Sequence, residues 1–245
     1  MKPTQMNSCH NKKLKINIEN ISKSYKDVEV LKDINIKVYE GEFVSILGPS
    51  GCGKSTIFNI VSDITNCDNG KVEINGKLSY MYQKDLLLPH KNIIDNVSLP
   101  LTLKKEKKSK AREMVKSYFE TFGLSGYEYN YPKELSGGMK QRANFLRTFI
   151  NSNDIMLLDE PFGALDSITK ASMQNWLLDI RHKVNSTILL ITHDIDEAMM
   201  LSDRIYVISK KPAVVKKEIV VDKAYYSRDN LENVMKLKKE IIELL

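Results

Sequence analysis

The chain has 245 residues, of which 42% are hydrophobic and 28% charged, and it carries a formal net charge of +6. This length and composition predict one globular domain with a sizeable core, and no apolar run approaches the roughly 20 residues that a membrane-spanning helix needs. The polar N-terminus and the three isolated cysteines, Cys9, Cys52 and Cys67, predict a cytosolic protein without a secretion signal, a disulfide framework or a zinc site.

The first third of the chain predicts antiparallel β-structure. Apolar and polar residues alternate in two successive stretches, as they do in half-buried strands. Asn75 and Gly76, between the stretches 72–74 and 78–80, predict a further β-hairpin at that turn. The alternating apolar positions are Leu14, Ile16, Ile18 and Ile21, then Leu31, Ile34, Ile36 and Val38.

Four other runs are apolar without alternation. Strands of this kind are covered on both faces, so they predict a parallel sheet sandwiched between helices. The runs are 43–47, 155–158, 187–191 and 205–208. Helices are predicted after Lys54 and over 110–122, 138–150, 167–183 and 194–201.

Two segments lack strand patterning. Residues 86–131 contain the lysine-rich stretch 104–108 and predict a mostly helical insertion with an exposed lysine face. The tail, 228–245, predicts a helix that docks on the domain, because its apolar residues gather near one helical face. Those residues are Leu231, Val234, Met235, Ile241, Ile242 and Leu245.

The strongest local motif is a glycine-rich stretch that fits G-x-x-x-x-G-K-[ST] between an apolar strand and a predicted helix. Backbone N–H groups of such a loop point at phosphates, and the helix N-terminus adds positive potential. Lys54 would reach the β- and γ-phosphates, Ser55 would offer a hydroxyl to Mg²⁺, and the thiol of Cys52 is expected beside the phosphates without a catalytic role. The stretch is Gly48, Pro49, Ser50, Gly51, Cys52, Gly53, Lys54, Ser55 and Thr56.

An acidic pair, Asp159 and Glu160, follows the apolar run 155–158. Asp159 at the end of the strand can hold Mg²⁺ through water, and Glu160 is placed to orient the attacking water or to take its proton. Together with the phosphate loop, this pair predicts nucleotide hydrolysis.

Between these motifs lies the stretch Leu135-Ser136-Gly137-Gly138-Met139-Lys140-Gln141-Arg142, which resembles the signature motif of the ABC ATPases. Ser136, Gly137 and Gly138 precede a predicted helix and offer a second cluster of donors to an anion. In that family the signature of one subunit closes over the ATP held by the other. The resemblance therefore implies a head-to-tail dimer of two copies with two ATP molecules in its interface.

The other elements of the family occur in order. The resemblance implies that Tyr25 stacks on adenine and that Gln83 reaches Mg²⁺ and the attacking water. Asp166 matches the segment that crosses to the opposite subunit, and His193 matches the histidine that contacts the γ-phosphate. One departure is Val61-Ser62-Asp63-Ile64, where many relatives carry a small residue and glycine, and it concerns helix packing only.

The resemblance implies an α/β fold, a P-loop NTPase core with a mainly parallel sheet, an N-terminal antiparallel β subdomain and a helical insertion. It covers residues 14–208. The expected divisions of a single domain over 1–245 are a β-rich and RecA-like core at 14–82 and 151–210, a helical subdomain at 86–150 and a C-terminal extension at 211–245.

Residues 86–97 and 161–166 are similar to ATPases of the importers for nitrate, sulfonate, taurine and bicarbonate. Riboflavin-like and thiamine-precursor importers have near-identical ATPases, so the similarity indicates a branch and not a cargo. It implies separate permease subunits, whose cytoplasmic helix we expect to dock near 83–97, and an extracytoplasmic substrate-binding protein. The chain is then expected at the cytoplasmic face of the membrane.

Two alternatives belong to other classes. Soluble ABC ATPases act on ribosomes or DNA, usually with tandem ATPase domains or long coiled coils, neither of which this chain has. Its lysines are spread along the chain beside acidic residues, so no nucleic-acid partner is expected. A non-hydrolysing binding subunit is the second alternative, and the presence of both Glu160 and His193 argues against it.

Overall fold

The computed structural model describes residues 12–84, 86–152, 154–184, 186–222 and 231–245. Two sheets, one of three strands and one of six, are packed with helices in these residues. This architecture confirms the predicted fold class. None of the helices in the described part of the chain is long and apolar enough to cross a bilayer.

The described elements begin with three strands, and single helices and strands alternate later in the chain, over residues 137–208. In chain order they are β1 (Leu14–Tyr25), β2 (Val28–Tyr39), β3 (Phe43–Leu47), α1 (Lys54–Val61), β4 (Asn69–Ile74), β5 (Leu78–Met81), α2 (Ile93–Val97), α3 (Leu99–Leu103), α4 (Lys108–Thr121), α5 (Gly137–Asn151), β6 (Ile155–Asp159), α6 (Ser167–Val184), β7 (Thr187–Thr192), α7 (Ile195–Leu201), β8 (Arg204–Ile208), β9 (Val215–Val220) and α8 (Leu231–Leu244).

The smaller sheet is antiparallel and has the strand order β2-β1-β4. The alternating apolar residues face its core, which confirms the predicted pattern. The pattern steps by three residues from Ile18 to Ile21, and there the pairing of β1 with β2 shifts its register. Asn20 and Asp33 take left-handed backbone conformations at these steps, which Asn and Asp tolerate better than most residues.

The larger sheet has the order β5-β6-β7-β3-β8-β9, with β9 antiparallel at one edge and the other strands parallel. The four continuous apolar runs form β3, β6, β7 and β8, all of them buried along their whole length, as predicted. Strand β9 was not predicted because charged residues interrupt its apolar alternation. The carboxyl ends of β3, β6 and β7 meet at one edge of the sheet, where ligands of α/β folds bind.

The hairpin predicted at Asn75 and Gly76 is wrong. Strand β4 pairs with β1 in the small sheet, whereas β5 runs parallel to β6 in the large one, so the chain crosses between the sheets at this turn. The Asn75 N–H donates to the Lys15 carbonyl at 2.8 Å. A side chain at Gly76 would collide with the carboxylate of Asp154. Packing of β5 against β6 and α5 decides its pairing, and a local turn signal carries no information about that packing.

The segment 86–131 is mostly helical, and its lysine stretch 104–108 is largely exposed, as predicted. Its core is aromatic, with Phe122 in contact with Phe145, Phe149 and Trp176 at ring separations of 5.6 to 6.0 Å. The predicted longer helices α4 to α7 are confirmed, with their ends within two residues of the expected positions. These aromatic contacts attach α5 and α6 to each other.

Helix α1 ends at Val61, within the stretch 61–64 where many relatives carry a small residue and glycine. Asp63 takes the left-handed conformation, with φ of 58°, that ends many helices and that glycine adopts at lower cost. The Ser62 and Ile64 N–H groups donate to the carbonyls of Phe58 and Asn59 at 2.9 and 2.8 Å. Helix α1 therefore ends with its carbonyls paired, and its packing is intact.

The tail helix α8 docks on the domain, as predicted. Ile241 is fully buried, and Val234 and Leu237 pack against the cluster formed by α7, β8 and β9. Met235 and Ile242 are exposed, so the predicted apolar face is wrong for these two residues. Residues 228–230 of the predicted helix lie outside the described residues.

A buried carboxyl lies between α6 and α7. Glu197 is 3% exposed, and its carboxylate lies 3.4 Å from the Lys170 amine, which bonds Asp194 at 2.7 Å. Asp194 caps α7 by accepting from the Glu197 N–H at 3.0 Å. Burial raises the pKa of Glu197 from 4.5 to about 7 against the attraction of Lys170.

We expect this carboxyl to make stability depend on pH. Because the folded-state pKa of Glu197 is raised, its protonated form favours the native state, and that contribution is lost as the pH rises through about 7. Between pH 5 and pH 8 the wild type should lose about 2 kcal/mol more free energy of unfolding than Glu197→Gln. Urea unfolding of both proteins at four pH values measures the difference, and Glu243→Gln, at an exposed site on α8, should run parallel to the wild type. Parallel curves for Glu197→Gln would contradict the assignment.

Candidate active site

A cleft of about 410 Å³ opens at the carboxyl edge of the large sheet. It collects side chains from the phosphate loop, from the first two strands and from the loops that follow β5, β6 and β8. Its lining residues are Tyr25, Val30, Ser50, Gly51, Gly53, Lys54, Ser55, Thr56, Gln83, Glu160 and Lys211. Val30 and Lys211 were not anticipated from the sequence, although the rule that ligands bind at the carboxyl ends of strands points to the loop after β8.

The phosphate loop folds around the amine of Lys54. Gly51 and Gly53 have φ of 74° and 124°, a backbone region that L-residues with a side chain rarely adopt. Lys54 is 4% exposed and donates to the carbonyls of Gly48 and Pro49 at 2.8 and 2.9 Å. The loop thus presents a buried positive charge next to the N-terminus of α1, an arrangement suited to an anion.

The thiol of Cys52 does not face the cleft, so the expectation that it lies beside the phosphates is wrong. Its side chain is buried in the hydrophobic cluster that contains Ile57 and Phe58. Burial raises the pKa of this thiol, against the opposing effect of Lys54. Sequence spacing places Cys52 in the loop but does not determine on which side of the loop the side chain lies.

Asp159 ends β6 and is 6% exposed. Its Oδ1 lies 3.5 Å from the Ser55 hydroxyl, and its Oδ2 accepts from the Tyr80 hydroxyl at 3.0 Å. Burial raises the pKa of Asp159, which the hydrogen bonds from Tyr80 and Ser55 oppose. Tyr80 was not anticipated as a site residue, although its strand lies beside β6.

The oxygens of Ser55 and Asp159 fit Mg²⁺, which prefers hard oxygen ligands and is usually held by one or two protein groups together with substrate phosphates. The described residues contain no cluster of three or more His, Cys, Asp or Glu side chains that could hold a metal on their own. Magnesium at this position would therefore take its remaining ligands from phosphate and water.

Glu160 lies at the centre of the cleft. Its Oε2 lies 3.3 Å from the Gln83 amide nitrogen and 3.2 Å from the His193 Nδ1, and its Oε1 lies 3.8 Å from the Lys54 amine. Its backbone has φ of 42°, a left-handed conformation that is rare for a residue with a side chain. Residues in this conformation are enriched at functional sites. The structure thus brings together the predicted residues Glu160, Gln83 and His193.

The signature residues lie elsewhere. Ser136 caps α5 by accepting from the Met139 N–H at 3.3 Å, and a side chain on Gly138 would lie 3.0 Å from Thr169 of α6. Ser136 and Gly138 line a second recess, together with Met139, Arg142, Ile168, Thr169, Ser172 and Met173. This recess and the phosphate-loop cleft share no lining residue, so one copy of the chain does not bring the two together.

Asp166 lies at the start of α6, and Tyr25 lines the phosphate-loop cleft. The Asp166 carboxylate accepts from the N–H groups of Ile168 and Thr169 at 3.2 and 3.1 Å and so caps α6. Hydrogen bonding by Thr169 lowers the pKa of Asp166. Tyr25 is 45% exposed, and the Lys23 amine lies 5.5 Å from the centre of its ring. Asp166 therefore has a structural role in the single copy, and Tyr25 leaves part of its ring open to the cleft.

Comparison with known proteins identifies the family. The model of the ABC transporter family matches residues 31–163. Formylaminopyrimidine import ATP-binding protein ThiZ of Halalkalibacterium halodurans is 44% identical over 200 residues, which cover 80% of each chain. Aliphatic sulfonates import ATP-binding protein SsuB of Bacillus cereus is 37% identical over 91% of this chain and 90% of its own. One chain of the dimeric, post-hydrolysis structure of the ATP-binding cassette MJ0796, bound to ADP and Pi, superimposes with a TM-score of 0.72 and 30% identity over 84% of this chain and 99% of its own. The chain therefore belongs to the ABC transporter family, as one of its ATP-binding subunits.

Proposed function

We propose that this chain is the ATP-hydrolysing subunit of an importer and drives the uptake of a small solute through a separate permease. The observation that carries the proposal is the convergence of Lys54, Glu160, Gln83 and His193 at one cleft. Similarity to the import proteins ThiZ and SsuB supports the direction of transport. The cargoes in the names of these two proteins differ, so this similarity supports a group of cargoes, formylaminopyrimidine-like or sulfonate-like, and not a single one.

In this proposal the core of the chain, 14–82 and 151–210, holds the nucleotide. Adenine would stack on the open ring of Tyr25, and the amine of Lys54 would exchange its two carbonyl partners for phosphate oxygens. Lys211, at the start of the C-terminal extension 211–245, lines the same cleft and adds positive charge. Positive charges and N–H groups around the loop favour a polyanion.

Ser55 and Asp159 would hold Mg²⁺, with Gln83 reaching it from the loop after β5. When bound, this ion neutralises charge on the phosphate oxygens. Glu160 would orient the attacking water and take its proton, while His193 and Gln83 hold Glu160 and the γ-phosphate in place. Catalysis would then consist mainly of positioning and electrostatic stabilisation, as in other phosphoryl transfers.

The second recess supports a head-to-tail dimer. Ser136, Gly137 and Gly138 stand at the N-terminus of α5, within the helical subdomain 86–150, and away from the cleft of their own copy. In the proposed dimer they would meet the ATP held by the partner. The dimeric state of the similar cassette MJ0796 supports this arrangement. Closure of the dimer around ATP would turn the permease outward, and hydrolysis would reopen it.

A largely apolar groove of about 400 Å³ lies between the end of β5, α3 and α5. Exposed Leu86 and Leu103 stand at this groove. Of its lining residues, Leu86 falls within the stretch 83–97 expected from the sequence. We assign it to a cytoplasmic helix of the permease, with an extracytoplasmic binding protein supplying the cargo. The chain would then lie at the cytoplasmic face of the membrane.

Glu160→Gln should separate ATP binding from hydrolysis. The amide keeps the size of the side chain but removes the base, so hydrolysis should fall at least about 100-fold while ATP affinity stays near the wild-type value. We expect ATP to trap the variant as a dimer, which light scattering after size-exclusion chromatography detects. Hydrolysis at the wild-type rate would rule out the role of Glu160.

Lys54→Ala should weaken nucleotide binding itself. Charge-assisted hydrogen bonds to phosphate are strong, so the ATP dissociation constant should rise about 10- to 100-fold. Isothermal titration calorimetry measures this change, and Lys236→Ala, at an exposed position on α8, is the matched control. Equal affinities for the two variants would contradict the phosphate-binding role.

The transport role is tested by purifying the chain from its native membranes in mild detergent and identifying its partners by mass spectrometry. The wild type should carry a multi-span permease. Leu103→Glu should lose the permease, because a carboxylate would be buried in an apolar interface, whereas Met235→Glu, exposed on α8, should keep it. Ribosomal or DNA-associated partners without a permease would overturn the transport role and leave the ATPase role standing.

A further inference from the structure

Two tyrosines connect the apolar groove with the acidic end of β6. Tyr80 and Tyr82 both line the groove, and their rings stack with centroids 4.0 Å apart and planes 17° apart. Tyr82 is 41% exposed. Phe58 of the buried phosphate-loop helix α1 meets Tyr80 edge-on at 5.6 Å. The ring of Tyr80 is therefore confined on one side by the protein interior and on the other by a residue that faces the groove.

The hydroxyl of Tyr80 reaches the proposed magnesium site. It donates to the Asp159 Oδ2 at 3.0 Å, while the other carboxylate oxygen lies 3.5 Å from the Ser55 hydroxyl. A hydrogen bond from a neutral donor to a buried carboxylate is directional and strong. Tyr80 thereby sets the rotation of the carboxylate and decides which of its oxygens faces Ser55.

We propose that Tyr80 is a positioning residue for magnesium and that its stack with Tyr82 holds its hydroxyl on the Asp159 carboxylate. The ring of Tyr82 covers Tyr80 on the side of the groove and keeps its hydroxyl directed at Asp159. Without the ring of Tyr82, Tyr80 would lose this support, and the Asp159 carboxylate would rotate more freely. This inference rests on the proposed function, because it requires a magnesium nucleotide in the cleft.

The stack of Tyr80 and Tyr82 is separate from the contact that Gln83 makes. Gln83 bonds Glu160, whereas Tyr80 bonds Asp159. The same short segment, 80–83, therefore touches both acidic side chains at the end of β6. The groove lies against this segment on the tyrosine side, whereas Gln83 lines the nucleotide cleft.

The test is a magnesium titration of ADP binding to the full-length chain, followed with a fluorescent ADP analogue and repeated in EDTA. Tyr80→Phe removes only the hydroxyl, and loss of a hydrogen bond behind a metal ligand costs at least about tenfold in metal affinity. We expect the Mg²⁺ midpoint to rise about tenfold and the affinity in EDTA to stay within about twofold. A purely structural defect would lower both.

Tyr82→Ala tests the stack at a side chain that is 41% exposed, so we expect the fold to stay intact. It should raise the Mg²⁺ midpoint in the wild type and have no further effect in Tyr80→Phe, because residues that act through one another are not additive. Tyr82→Phe keeps the ring and is the matched control, with the midpoint of the wild type expected.

Three results would overturn the proposal: an unchanged midpoint in Tyr80→Phe, equal shifts caused by Tyr82→Ala in both backgrounds, or a lowered affinity for ADP in EDTA that matches the loss in Mg²⁺. Each of these leaves the ATPase assignment standing, because ADP still binds the wild type. A wild-type chain that binds no ADP at all would instead overturn the proposed function.

Discussion

The register of three parallel strands holds the whole active site together. Leu47 of β3 pairs with Thr192 of β7, and Asp159 of β6 pairs with Ile191 of the same strand. The hydrogen bonding continues beyond the strand ends, where the N–H groups of Gly48 and Glu160 donate to the carbonyls of Thr192 and Ile191 at 3.4 and 3.0 Å. The phosphate loop, the acidic pair and His193 thus start from one line across the sheet. A slip of one residue would turn every side chain of a strand to the opposite face and separate these groups.

That register is secured by burial. Every residue of β3, β6 and β7 is buried, so a shifted strand would leave apolar side chains unpacked and backbone groups unpaired at a large cost in free energy. This rigidity allows the site to contain unfavourable features, including the left-handed backbone of Glu160 and the buried carboxyl of Asp159. Local strain at functional residues persists only where the surrounding structure fixes it.

Most of the fold followed from patterns that the sequence expresses locally. Fully apolar runs became central strands, and the three-residue steps near Ile18 and Leu31 became irregularities in the small sheet. Local patterns failed where a distant partner decides the outcome. The turn at Gly76 gave no sign that its two strands belong to different sheets, and charged residues hid the edge strand β9 because an edge strand has little apolar surface to bury.

The same contrast between local sequence patterns and distant packing applies to the active site. Motifs located Lys54, Glu160 and His193, because each follows a strand whose carboxyl end can be read from the sequence. They could not orient Cys52, whose thiol turns into the core, or find Tyr80, whose hydroxyl matters only because β5 lies beside β6. These are consequences of packing between elements that are distant in the sequence.

Helix α6 contacts both the neighbourhood of His193 and the signature, the two regions that would meet ATP in the proposed dimer. Asp166 caps this helix, and one turn further on Lys170 bonds Asp194, the residue that follows His193. Helix α6 also packs against Gly138 of the signature through Thr169. In the proposed dimer the segment before α6 would touch the opposite copy, and the same helix contacts both the residue that follows His193 and the signature. The ion pairs of Lys170 with Asp194 and Glu197 join this helix to α7.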